Sequence, residues 1–126
     1  MSKIVLTVDD SRTMREMLML ALSNAGYRVV QAEDGMHGLE VLKDARPDVI
    51  ITDINMPRMD GLQLLAAVKA APEWRHLPVV MITTEGGETK VAEALRLGAA
   101  GYVRKPFTGD QIKEKLVGIL EPALKL

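Results

Sequence analysis

The chain of 126 residues has no cysteine. Disulfides and thiolate metal sites are therefore excluded, and a reducing compartment is expected. Neither sign of charge dominates: the formal net charge is −1, and no run of lysine and arginine occurs. That balance leaves no electrostatic footprint for nucleic acid or an anionic membrane. Long hydrophobic runs are missing too. The first apolar segment stops at Asp9, too short for a signal peptide or a membrane span. A cytoplasmic protein is expected. There is one tryptophan, Trp74, and the two histidines, His37 and His76, stand apart from each other and from the clustered acids; both are expected at the surface. No repeat, linker or low-complexity segment is evident. What is present is a 48% hydrophobic chain of a length that suits one core. The organisation expected is a single domain over residues 1–126 with no fused output domain.

The most informative stretch is Val49-Ile50-Ile51-Thr52-Asp53-Ile54-Asn55-Met56-Pro57. Its apolar run reads as a strand buried on both faces, with Asp53 at the carboxyl end. In open α/β sheets that end faces the ligand crevice. A second apolar run, Ile4 to Val8, ends in Asp9-Asp10, and a third, Gly101 to Arg104, ends at Lys105. Three acids and one lysine at three strand ends are expected to form one site.

The remaining segments alternate. A helix follows Asp9-Asp10, capped by Ser11 or Thr13, the latter with Glu16 at capping-box spacing. Met14, Met17, Leu18, Ala21, Leu22 and Ala25 form its apolar stripe, and Gly26 closes it. The two methionines are read as core packing rather than as an adaptable binding surface. Tyr27 to Ala32 reads as a strand. Met36, Leu39 and Leu42 start a second helix, and Asp60-Gly61 a third with Leu64, Leu65 and Val68 inward. Ala71 to Leu77 reads as a surface loop, Val79 to Thr83 as a strand, and Thr84 to Gly87 as a loop. Val91, Ala92 and Leu95 mark a fourth helix stopped by Gly98. Thr108 and Gln111 have capping-box spacing for a fifth, with Ile112, Leu116, Ile119 and Leu120 inward. Five strands alternating with five helices imply an α/β fold: a parallel sheet covered on both faces, doubly wound.

Val8-Asp9-Asp10-Ser11, Thr52-Asp53-Ile54-Asn55-Met56-Pro57, Ile82-Thr83 and Tyr102-Val103-Arg104-Lys105-Pro106-Phe107 together resemble the signature of two-component response-regulator receiver domains. The likeness runs over essentially the whole chain and is strongest to the single-domain chemotaxis regulators. It implies the flavodoxin- and CheY-like strand order 2-1-3-4-5. It also implies that Asp53 is the phosphoacceptor and that Mg²⁺ is the cofactor, held by Asp10, Asp53, the Asn55 carbonyl and, through water, Asp9. Lys105 and Thr83 would contact the phosphoryl group, and a cis peptide before Pro106 would aim Lys105 inward. Tyr102 would be the switch aromatic. A switch and output face would include Thr84, Glu85, Val91, Leu95, Tyr102, Arg104, Phe107 and Lys115, with Gly86-Gly87 making the loop permissive. The partners implied are a CheA-like histidine kinase, a FliM-like flagellar motor switch protein or another downstream protein, and possible phosphatases; a monomer is expected. The protein would be a signalling molecule that catalyses only its own phosphorylation and dephosphorylation.

Simpler readings stand beside these. Asp9-Asp10 suits a helix N-terminus, Asp53 a strand-end turn, Lys105 a solvated lysine, Thr83 an ordinary strand residue and Tyr102 a core-edge tyrosine. Within the family, a phosphorelay intermediate or phosphate sink is the alternative role. A Mg²⁺-dependent phosphatase of the haloacid-dehalogenase type also uses a strand-end aspartate. It typically has a second acid two residues later, where this chain has Asn55, which cannot act as a general acid–base. A flavodoxin-like cofactor binder would need a phosphate-cradling loop where Asp9-Asp10 stand. Thr84, Ile54 and Arg104 depart from the familiar pattern of the chemotaxis regulators, and Thr84 is expected to restrict access to the phosphoryl group.

Overall fold

The computed structural model describes residues 2–84 and 88–121. The elements alternate as expected: β1 (Ile4–Val8), α1 (Arg12–Asn24), β2 (Arg28–Ala32), α2 (Gly35–Ala45), β3 (Val49–Asp53), α3 (Gly61–Ala70), β4 (Val79–Thr83), α4 (Glu88–Arg96), β5 (Gly101–Arg104) and α5 (Gly109–Leu120). All four strand pairings are parallel, and the order is β2-β1-β3-β4-β5. The chain first steps from β1 outward to β2, then returns past β1 to β3. The carboxyl ends of β1 and β3, carrying Asp9-Asp10 and Asp53, flank this reversal, where open α/β sheets form their crevice.

Strand alternation divides the core into two layers. Leu6, Val8, Ile50, Val79 and Met81 face Leu42, Leu64, Leu65, Val68 and Ala94 of α2, α3 and α4. Their neighbours Val5, Val49, Ile51, Val80 and Ile82 face Leu18, Leu22, Ile112 and Leu116 of α1 and α5. β3 and β4 are buried at every position, which explains why they read as continuous apolar runs. Each fully buried leucine or isoleucine contributes about 1.5–3 kcal/mol.

Local signals fix the helix ends. Ser11, not Thr13, caps α1, its hydroxyl accepting from the Met14 N–H at 3.2 Å. Thr13 already lies in the first turn, and the Glu16 of its supposed box pairs with Arg12 instead. Gly26 ends α1 at φ 95° and Gly98 follows α4 at φ 104°, conformations that favour glycine. The Thr108–Gln111 capping box of α5 is present, and Asp60 with Gln63 forms a second one at α3.

Several expectations need correction. Tyr27 precedes β2 rather than opening it. Met36, Ala92 and Leu95, which helped mark α2 and α4 in the sequence, are exposed; the buried faces of these helices are made by Gly35, Gly38 and Leu42 and by Val91 and Ala94. The 71–77 segment is less a surface loop than expected: Leu77 is buried and Trp74 packs on the α2–α4 layer. His37 is half-buried, and its Nδ1 accepts the Glu33 N–H at 3.1 Å. Among the described residues, no helix is long and apolar enough to cross a membrane.

Candidate functional site

β1 and β3 pair in register, Val8 against Thr52, so the residues that follow each strand emerge side by side. One carboxylate oxygen each from Asp9, Asp10 and Asp53 fall within 4.8 Å of one another. Asp9 is fully buried. Its Oδ1 accepts the Ser11 N–H at 2.8 Å, and its Oδ2 is buried with no hydrogen-bond partner. Asp10 is exposed. Asp53 is buried; its Oδ1 accepts the Ile54 N–H at 2.9 Å, and its Oδ2 lies 3.7 Å from the Lys105 Nζ.

Burial is the main cause that raises both the Asp9 and Asp53 pKa above 3.8. For Asp9 the Ser11 N–H opposes it, with the neighbouring carboxylates adding to the rise; for Asp53 the Lys105 ammonium is the main opposing influence. Clustered, desolvated carboxylates resist ionisation. The cluster therefore holds more acid than its own cations compensate, and one buried oxygen has nothing to bind. That donor set fits a hard, oxygen-seeking divalent cation. Asp9, Asp10 and Asp53 could hold it.

Lys105 reaches Asp53 from the end of β5. The Lys105–Pro106 peptide is cis, as the family resemblance implies, and the Lys105 N–H donates to the Thr83 carbonyl at 2.7 Å. β4 lies between β3 and β5, so Thr83 sits at the same end of the sheet, buried. Its hydroxyl donates to the Thr84 carbonyl at 3.2 Å. Asn55 is exposed, two residues beyond Asp53.

The expected output face is only partly surface. Leu95 and Tyr102 are exposed, at 47% and 38%. Arg104 is exposed and pairs with Glu88 of α4 at 3.6 Å. Lys115 is half-buried and Thr84 exposed. Val91, however, is buried, and Phe107 packs half-buried on the α1–α5 layer. Val91 thus packs beneath this face, while Phe107 keeps part of its ring at the surface. Glu85, Gly86 and Gly87 lie outside the described residues.

Two contacts escaped sequence reasoning. Arg58, in left-handed conformation at φ 63°, grips Asp34 with two hydrogen bonds of 2.7 and 3.0 Å. This clasp ties the β2–α2 turn to the loop after β3. Burial would raise the Asp34 pKa, but the His37 N–H and Arg58 outweigh it and the net shift is downward. The second contact is a hydrogen bond of 2.9 Å from Lys90 Nζ to Asn55 Oδ1. The Asp34-Gly35 pair, like Asp60-Gly61, was a visible capping signal. Nothing local announces Arg58 or Lys90, because their partners lie 24 and 35 residues away.

Comparison with known proteins agrees with this geometry. Residues 5–117 match the response regulator receiver domain family. The chain is similar to the chemotaxis protein CheY1 of Helicobacter pylori, 47% identical and covering 92% of this chain and 95% of the relative. It is 43% identical to chemotaxis protein CheY-3 of Vibrio cholerae, over 93% and 91% of the two chains. Among solved structures, chemotaxis response regulator CheY4 of Vibrio cholerae superposes with a TM-score of 0.86 at 39% identity, covering 92% and 97%. A putative response regulator of Chloroflexus aurantiacus reaches 0.91 at 33% identity, covering 95% and 98%. The chain belongs to the response regulator receiver domain family, among its CheY-type signalling proteins.

Proposed function

We propose that this receiver domain accepts a phosphoryl group on Asp53 from a histidine kinase and thereby changes its affinity for a downstream partner, a FliM-like motor switch protein in chemotaxis. The observation that carries this reading is the Asp53 carboxylate, buried beside Asp9 and Asp10 with the Lys105 ammonium 3.7 Å away. An Asp53 oxygen attacks phosphorus, and the bond from phosphorus to the imidazole nitrogen or acyl oxygen of the donor breaks. The leaving atom keeps the electron pair. A carboxylate is a weak nucleophile toward an anionic phosphoryl group, so orientation and charge neutralisation carry the rate. The Ile54 N–H orients one Asp53 oxygen, and Lys105 offsets charge on the phosphoryl side.

Mg²⁺, held by Asp9, Asp10, Asp53 and the Asn55 carbonyl, would supply the remaining positive charge: three carboxylates against one divalent cation and one lysine balance to zero. Thr83, now bonded to the Thr84 carbonyl, would exchange that bond for a phosphoryl oxygen. Tyr102, now exposed, is the residue that would respond. Carrying such an equilibrium from mostly off to mostly on takes about 5.5 kcal/mol, and two or three charge-assisted contacts of about 1.5–3 kcal/mol each could supply it. The relatives named for chemotaxis support a chemotactic role, in which motor binding is the reading proposed and a phosphate sink the alternative, and that role is one for the cytoplasm.

The test is intact mass after incubation with acetyl phosphate. A Mg²⁺-dependent phosphoryl adduct in the wild type, lacking in Asp53→Asn, is expected. No adduct on a folded, Mg²⁺-binding protein would sink the proposal. Binding of the adduct to a motor-switch peptide then separates motor control from onward transfer to a histidine protein.

A further inference from the structure

Lys90 lies in the first turn of α4, exposed. Its ammonium donates to the side-chain oxygen of Asn55 at 2.9 Å, on the loop that leaves the Asp53 strand. The same helical turn is fixed on its other flank, where Glu88 pairs with Arg104 of β5 at 3.6 Å. α4 is otherwise lightly anchored: Val91 and Ala94 are its buried residues. Lys90 is thus a cation tied, through Asn55, to the loop that leaves Asp53, and it is carried by a different element from the one that carries Lys105.

We propose that Lys90 is a specificity-determining residue of the site: its charge attracts small dianionic phosphodonors such as acyl phosphates, and at the same time weakens the hold of the three carboxylates on a divalent cation. The proposal rests on Asp53 being the phosphoacceptor. The physical basis is that one fixed positive charge acts with opposite sign on the two ligands. It lowers the potential energy of an incoming anion and raises that of Mg²⁺. A residue that merely held the loop in shape would act on both in the same direction. Asn55 keeps the charge in place, since a free lysine side chain would spread it over many rotamers.

Three proteins test this: wild type, Lys90→Met, which keeps the length of the side chain without its charge, and Lys90→Arg, which keeps the charge. Mg²⁺ affinity is measured by titration calorimetry. The initial slope of Asp53 labelling against acetyl phosphate concentration is measured at saturating Mg²⁺. Exposed charge interactions translate into effects of about two- to five-fold. Lys90→Met should bind Mg²⁺ more tightly by about that factor and show a labelling slope lower by a similar factor. Lys90→Arg should match the wild type in both, and added salt should shrink both differences. If Lys90→Met leaves both quantities unchanged, or moves both in the weakening direction, the proposal is overturned while the receiver reading stands. A wild type that takes up Mg²⁺ but is never labelled would overturn the receiver reading, and this inference with it.

Discussion

Asp53 and Asp9 are costly in the protein without metal, because each is a carboxylate held away from water beside another. Their pKa values are raised above 3.8. A group whose folded pKa lies above its unfolded one favours folding fully below the unfolded value, and that contribution is lost as pH rises through the folded value. Metal-free Asp53→Asn should therefore be more stable than wild type at neutral pH, with the advantage fading as pH falls through the raised pKa toward 3.8. Urea unfolding across that range checks it; an advantage that grows on acidification would contradict the cause assigned here. The acids and Lys105 were legible in the sequence because strand ends are legible: an apolar run stops, and a charge follows. The orphaned Asp9 Oδ2 was not, since a missing partner shows only when every neighbouring donor has been placed. Phe107 illustrates the same limit. Its type suggested a docking residue, and only the assembled fold reveals that much of its ring packs on the α1–α5 layer.

Among the elements, the entry to α3 brings two stretches of backbone closest at a described glycine. A Cβ on Gly61 would run into the backbone carbonyl of Asp53 and the Ile54 backbone, and backbone cannot step aside as a flexible side chain can. The Gly61 N–H also donates to the Ile54 carbonyl at 2.8 Å. Gly61→Ala should cost about 1–3 kcal/mol in chemical unfolding and slow Asp53 labelling more than it lowers stability, because the clash falls on the acceptor residue itself. Labelling at the wild-type rate would show that the loop accommodates the methyl group. Asp60-Gly61 marked the start of α3 in the sequence, as Thr108 with Gln111 marked α5. The α1 cap was read ambiguously because Ser11 and Thr13 both satisfy the local rule. The choice is made by the turn after β1, where Asp9 accepts the Ser11 N–H and Arg15 bonds the Asp9 carbonyl at 2.7 Å. That is a tertiary constraint which capping statistics do not contain.

Across the whole molecule, the site and the tryptophan are separated by the sheet. The acids lie beyond the carboxyl ends of β1 and β3, whereas Trp74 lies between α3 and the amino end of β4. Mg²⁺ at about a hundred times its dissociation constant should raise stability by about 2.7 kcal/mol if it binds the folded chain alone. It should do so with little change in Trp74 fluorescence. Strong quenching on titration would contradict that placement, and unchanged stability would contradict the metal site. The layered order of strands was expected from the family likeness and is what the structure has; the alternation of strands and helices alone gave only the fold class. The contacts between distant segments belong to this scale as well, since Arg58 with Asp34 and Lys90 of α4 with Asn55 come together only once the sheet is assembled.

The most direct measurement is borohydride trapping of the phosphorylated protein, followed by peptide mass analysis. An acyl phosphate on an aspartate is reduced to the alcohol, leaving homoserine at the modified position. Homoserine at position 53 alone, and only after treatment with acetyl phosphate and Mg²⁺, is the result predicted. Homoserine at Asp9 or Asp10, or none at any position in a labelled protein, would contradict Asp53 as the acceptor around which the site is arranged.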